Sequence, residues 1–127
     1  MRVDIKWDIF RSDTLVCEFS GDWTWHDCRE AMQVMMYMQD GSGAQVNHIY
    51  DLTNSTLSTH ACVKRIQKLL NLGMQPAPNN IVIVDKPFRL HTIRDTLLIL
   101  VESWGNVHFT ESMDDARTAL NNPELQP

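Results

Sequence analysis

Apolar and polar residues alternate at the start of the chain, where Val3, Ile5, Trp7 and Ile9 stand between Arg2, Asp4, Lys6 and Asp8. A period of two gives a strand one dry and one wet face, so 3–9 is expected to be a strand at a sheet edge. Arg11-Ser12-Asp13 makes a polar turn. Leu15, Cys17 and Phe19 then alternate with Val16, Glu18 and Ser20, as in a more deeply buried strand that returns antiparallel as a hairpin partner. At Gly21-Asp22-Trp23-Thr24-Trp25-His26-Asp27 the period changes. Thr24 suits a helix N-cap, and Asp27, three positions on, can reach back to it while facing the positive end of the helix dipole. Cys28, Ala31, Met32, Met35 and Met36, with Val34 at the border, form an apolar stripe on a helix that runs to about Gln39 and ends at Asp40-Gly41-Ser42-Gly43.

Three strand-helix units follow. Residues 46–52 read as a strand, after which Ser58 or Thr59 caps a helix that buries Ala61, Cys62, Ile66, Leu69 and Leu70 and ends at Gly73. Ile81-Val82-Ile83-Val84 is a continuous β-branched run, as expected of a central strand covered on both faces. Pro87 suits the first turn of a third helix, carrying Ile93, Leu97, Leu98, Leu100 and Val101 to the region of Trp104-Gly105. Val107-His108-Phe109 is a short last strand. Ser112 and Asp115 then cap a fourth helix with Ala116, Ala119 and Leu120 inward, before Asn121-Asn122-Pro123. The order ββαβαβαβα predicts an α/β domain over 1–127 with one mixed sheet, in which right-handed crossovers make the later strands parallel.

Composition narrows the functional classes. A chain of 127 residues that is 43% hydrophobic builds one substantial core, and a formal charge of -5 disfavours nucleic acid. Cys17, Cys28 and Cys62 are odd in number and lack Cys-x-x-Cys spacing, which fits a reducing cytoplasm. The charged N-terminal segment does not read as a signal peptide, and no run is long enough for a membrane span.

Candidate chemistry gathers where strands give way to helices. His26, His60 and His91 each fall in the first turn of a helix that follows a strand, and Asp22, Asp51 and Asp85 end or follow strands. These groups are expected at the carboxyl-end edge of the sheet, where open α/β sheets place ligands. No His-x-x-x-His or Glu-x-x-His pair supports a metal site, and no cofactor is expected. Ser55, Thr56, Ser58 and Thr59 surround a helix N-terminus that could hold an anion, although capping is their simpler role. Lys86, Arg89, His91 and Arg94 form a basic cluster suited to an acidic partner or a solvated helix face. Cys62 lies near a helix start, which favours a thiolate, but its apolar register points inward. With no specific nucleophile–base arrangement, no Gly-x-Gly-x-x-Gly and no Walker loop, the chain does not read as an enzyme.

The element order, the strand end Ile49-Tyr50-Asp51-Leu52-Thr53, the junction Gly21-Asp22-Trp23-Thr24-Trp25 and the segment Phe109-Thr110-Glu111-Ser112-Met113-Asp114-Asp115-Ala116 together resemble the STAS fold of the anti-sigma factor antagonists. Within it the chain is most similar to the bacterial SpoIIAA-like group, which is related to Sec14-type lipid-binding domains. The resemblance implies a cytoplasmic, non-catalytic module that docks a partner protein through the loop and helix start after its third strand. Regulatory members carry a phosphorylatable serine in an Asp-Ser-Ser-Gly motif there. The matching stretch here is Thr59-His60-Ala61-Cys62, with His60 in place of that serine. Partner or ligand contacts are therefore expected at Trp23, Trp25, His26, Ser58, Thr59, His60, Arg89 and His91. A small apolar ligand, as the Sec14 relation implies, is the alternative, and an enzyme using the strand-end histidines is a third reading. Trp23, Trp25, Tyr37, Met38 and Trp104 also suggest a surface for a homodimer.

Overall fold

The computed structural model describes residues 2–42, 46–71, 79–87, 89–90 and 106–121. Strands β1 (Val3–Trp7) and β2 (Thr14–Gly21) precede helix α1 (Trp25–Ser42), followed by β3 (Asn47–Ser55), α2 (Thr59–Asn71), β4 (Ile81–Val84), β5 (Val107–Thr110) and α3 (Met113–Leu120). The expected third helix falls largely outside the described residues. Its first turn is present, since the amides of Arg89 and Leu90 donate to Lys86 O at 3.0 and 3.2 Å, with Pro87 just inside the start.

The five strands form one sheet in the order β1-β2-β3-β4-β5. β1 runs antiparallel to β2, and β2 through β5 are parallel, so the expected hairpin joined to parallel strands is present. Every parallel step moves in the same direction across the sheet. Right-handed crossovers therefore place α1 and α2 on one face, and the chain leaving β5 folds α3 back onto the other.

The alternation along each strand sorts side chains between two cores. Leu15, Cys17, Phe19, Tyr50, Leu52, Ile81 and Ile83 pack with Cys28, Ala31, Met32 and Met35 of α1 and Cys62, Val63 and Ile66 of α2. Val16, Ile49, Val82 and Val84 pack on the opposite face with Ala116 and Leu120 of α3. An ion pair closes this second core, because Asp8, only 7% exposed, accepts from Arg117 Nη2 at 2.9 Å.

Several boundaries differ from the sequence expectation. The first strand stops at Trp7, and Ile9 is 84% exposed in the turn because Asp8 has turned inward to meet Arg117. α1 runs three residues past Gln39, through Asp40 and Gly41 to Ser42. β3 continues three residues past Leu52, and there Leu52 and Thr53 together face Phe19 as a bulge between the pairs Glu18–Asp51 and Ser20–Asn54. Val34 is exposed rather than part of the stripe, Ala61 is only half-buried, and Val63 joins the core. The side chains of Leu69 and Leu70, with Gly73, Met74 and Trp104, lie outside the described residues. None of the helices among the described residues is long and apolar enough to cross a membrane.

Candidate functional site

Two turns leave the carboxyl ends of β2 and β3 side by side. The first begins at Gly21, whose φ of 59° is the left-handed conformation that a glycine adopts without strain. Its carbonyl accepts from Thr56 N at 3.0 Å, and Thr56 Oγ1 donates to Asp22 Oδ1 at 2.8 Å, so the two turns are tied together. Thr24 and Asp27 then form the expected reciprocal cap. Asp27 N donates to Thr24 Oγ1 at 3.1 Å, and Thr24 N donates to Asp27 Oδ2 at 2.9 Å. The bond from the Thr24 amide holds the Asp27 carboxyl below its ordinary range.

Trp23 is not a surface contact. It is fully buried, its indole N–H donates to Ser55 Oγ at 2.9 Å, and its ring packs 4.7 Å from Phe19, centroid to centroid. A buried Trp needs an acceptor for its one polar atom, and Ser55 supplies it. The Ser55 hydroxyl also accepts from Leu57 N at 3.2 Å and lies 3.4 Å from Cys62 Sγ. Burial raises the Cys62 thiol above its ordinary pKa, which opposes a reactive thiolate there. Trp25, by contrast, is half-buried beneath Lys68, whose ammonium stands 4.4 Å from the ring centroid.

Ser58 is the N-cap of α2, since its Oγ accepts from Ala61 N at 3.1 Å. Removing that acceptor in Ser58→Ala is expected to lower stability by about 1 kcal/mol. Urea denaturation checks this, and an unchanged midpoint would show that the helix start does not depend on the cap. Thr59, the next residue, turns inward instead. It is 1% exposed, and its hydroxyl donates to Asp85, the fully buried carboxylate that follows β4. It is therefore not an outward contact.

Asp85 organises the back of this edge. Its second oxygen accepts from Lys86 N at 2.7 Å and faces Arg89 Nη1 at 3.6 Å. The Arg89 guanidinium is turned into the fold, not toward a partner. It donates to Leu57 O at 3.2 Å and Ser55 O at 2.9 Å, closing backbone acceptors that β3 leaves open as it ends. One carboxylate and one guanidinium thus clamp the β3–α2 turn to the start of the next helix.

The outward groups on this turn are Thr56 and Ser58, both exposed, with half-buried His60 beside them. His26 is on the surface of α1, where Nε2 lies 3.0 Å from Glu30. His91 and Arg94 lie outside the described residues. Asp51 accepts from Thr53 N at 3.1 Å and Thr53 Oγ1 at 2.7 Å within its own strand. No group of three or more His, Cys, Asp or Glu side chains able to hold a metal occurs among the described residues.

Between α1 and the sheet lies an apolar cavity bordered by Val3, Phe19, Cys28, Met32 and Tyr50. Its volume is ≈ 10 Å³, at the lower limit for one water molecule. Nearby, His48 is wholly buried between Gln39, which meets Nε2, and Tyr50, whose hydroxyl lies 2.8 Å from Nδ1. Burial drives the His48 pKa down to about 3 and raises Tyr50 well above its ordinary value, so both are neutral near neutral pH. Neither residue was expected as polar core. The available signal was that His48 shares the strand face of Leu52, two and four positions from Tyr50 and Leu52.

No family model matches this chain, and no curated protein matches it at a significant level.

Proposed function

We propose that the chain is a non-catalytic protein-binding module of STAS type, close to the SpoIIAA-like group, whose recognition element is the β3–α2 turn. The observation that carries this reading is a division of labour within that turn. Trp23, Asp85 and Arg89 hold it from behind, while Thr56 and Ser58 are exposed with His60 half-buried beside them. A rigid loop with short polar groups outward suits recognition, because little conformational entropy is lost when a partner docks. The sequence resemblance directs attention to the same turn. His60 stands where regulatory members have the switch serine, so docking here does not depend on phosphorylation at that position. Among the described residues, the ≈ 10 Å³ cavity beside α1 is far smaller than the chamber a carrier of apolar ligands would need.

A photo-crosslinking residue at Thr56, compared with one at Gln33 on the exposed face of α1, tests the reading in the native host. A discrete protein adduct at Thr56 and none at Gln33 is expected. Equal adducts at both positions, or none at Thr56, would overturn it.

A further inference from the structure

β1 lies at the end of the sheet, and no strand among the described residues pairs with its outer edge. The direction of its free backbone groups follows from its pairing with β2. Ser20 N donates to Arg2 O and Asp8 N to Thr14 O, both at 2.8 Å, so the even-numbered residues of β1 aim their N–H and C=O at β2. Val3, Ile5 and Trp7 therefore aim theirs outward.

The side chains of the even residues alternate in sign, and that pattern is complementary to itself. If a second β1 runs antiparallel with Ile5 opposite Ile5, Val3 meets Trp7 and Asp4 meets Lys6, each twice. The outward-facing odd residues then form the hydrogen-bonded pairs. Asp4 and Lys6 fall at the intervening positions, where opposed side chains come closest. Centring the pair on Asp4 or Lys6 instead sets like charges against each other. Charged side chains on an edge strand ordinarily discourage pairing, but in this register each charge meets its opposite. Asp4 and Lys6 are both exposed; Lys6, its side chain 59% exposed, pairs with Glu18 of β2 at 2.7 Å, and its remaining ammonium protons are the ones a second copy's Asp4 would meet.

Helix α1 packs over β1 on the inner face of the sheet, bordering one cavity with Val3 through Cys28, Ala31 and Met32, and its Gln39 meets His48 of β3. At about 100° per residue, the Trp25 and Met36 flank faces α2, where Trp25 meets Lys68, and Val34 and Met38 stand on the opposite flank, toward the open edge. Val34 is 46% exposed there, and Trp7 is half-buried.

We propose that the outer edge of β1 binds the β1 edge of a second copy of this chain, antiparallel and centred on Ile5, joining two sheets into one. This surface is distinct from the β3–α2 turn, so either assignment can fail alone. Sedimentation equilibrium of the full chain is expected to give a dimer. Asp4→Lys and Lys6→Asp each set like charges against each other twice, and each should weaken the dimer roughly tenfold or more. Mixing the two variants restores both opposite-charge contacts and should recover a mixed dimer, which native mass spectrometry identifies by its mass. A wild-type chain that is monomeric at every loading, single variants that dimerise as well as wild type, or a mixture that stays monomeric would each overturn the proposal.

Discussion

Replacing Asp85 by alanine is expected to destabilise the protein by about 3–5 kcal/mol, the usual cost of removing one partner from a buried charge pair. The carboxylate is fully buried and receives the Thr59 hydroxyl, the Lys86 amide and the Arg89 guanidinium. Its removal leaves those donors facing an apolar gap, and the guanidinium loses its counter-charge. A domain of this size has only about 5–15 kcal/mol in total, so the variant would sit close to the edge of folding. Thr59→Val, which removes one hydroxyl at nearly constant volume, should cost less, about 1.5–3 kcal/mol. Asp114→Ala is the control. Its side chain is 99% exposed and pairs with Arg117 at 3.6 Å, a contact worth at most about 1 kcal/mol. Urea midpoints at unchanged slope read all three. An Asp85→Ala midpoint as mild as that of Asp114→Ala would mean that the carboxylate does not hold the edge together.

The backbone plan was legible because each element carries its own local signal. Charges alternating with apolar residues made β1, four β-branched residues made β4, and Thr24 with Asp27 and Ser112 with Asp115 marked two helix starts by cap chemistry. The direction of individual side chains was less legible at the sheet edge, because there a shift of one residue reverses inside and outside. Ser58 takes the cap of α2, and that alone turns Thr59 inward to Asp85. Trp23 and Trp25 flank Thr24 in the sequence, yet one is sealed in the core and the other shares its ring with Lys68. Arg89 looked like part of a basic surface because its acceptors, Leu57 O and Ser55 O, are backbone atoms more than thirty positions away. α1 shows the same limit. Gln39 points along the apolar stripe and fills a core position because His48 needs a polar partner, whereas Val34 lies well off that stripe and is exposed.

His48 should make the fold acid-sensitive over a range in which surface carboxylates remain charged. In the folded protein burial holds its pKa at about 3, whereas in the unfolded chain it returns to the ordinary value of 6.5. The unfolded chain therefore binds a proton that the native state refuses, and stability falls as pH drops below 6.5. Above that pH the contribution is complete. The expected loss is about 2 kcal/mol by pH 5, and it grows as the pH falls further toward the native pKa. Geometry reinforces the desolvation cost. With Gln39 Oε1 at Nε2, that nitrogen donates and Nδ1 accepts from the Tyr50 hydroxyl at 2.8 Å, so a second ring proton would displace the tyrosine's own. His48→Gln removes the titrating group and keeps a polar side chain between Gln39 and Tyr50. Urea denaturation at pH 5, 6 and 7 should show a slope for the wild type that is largely absent in the variant. Identical slopes would show that the proton is taken up elsewhere and that His48 contributes packing alone.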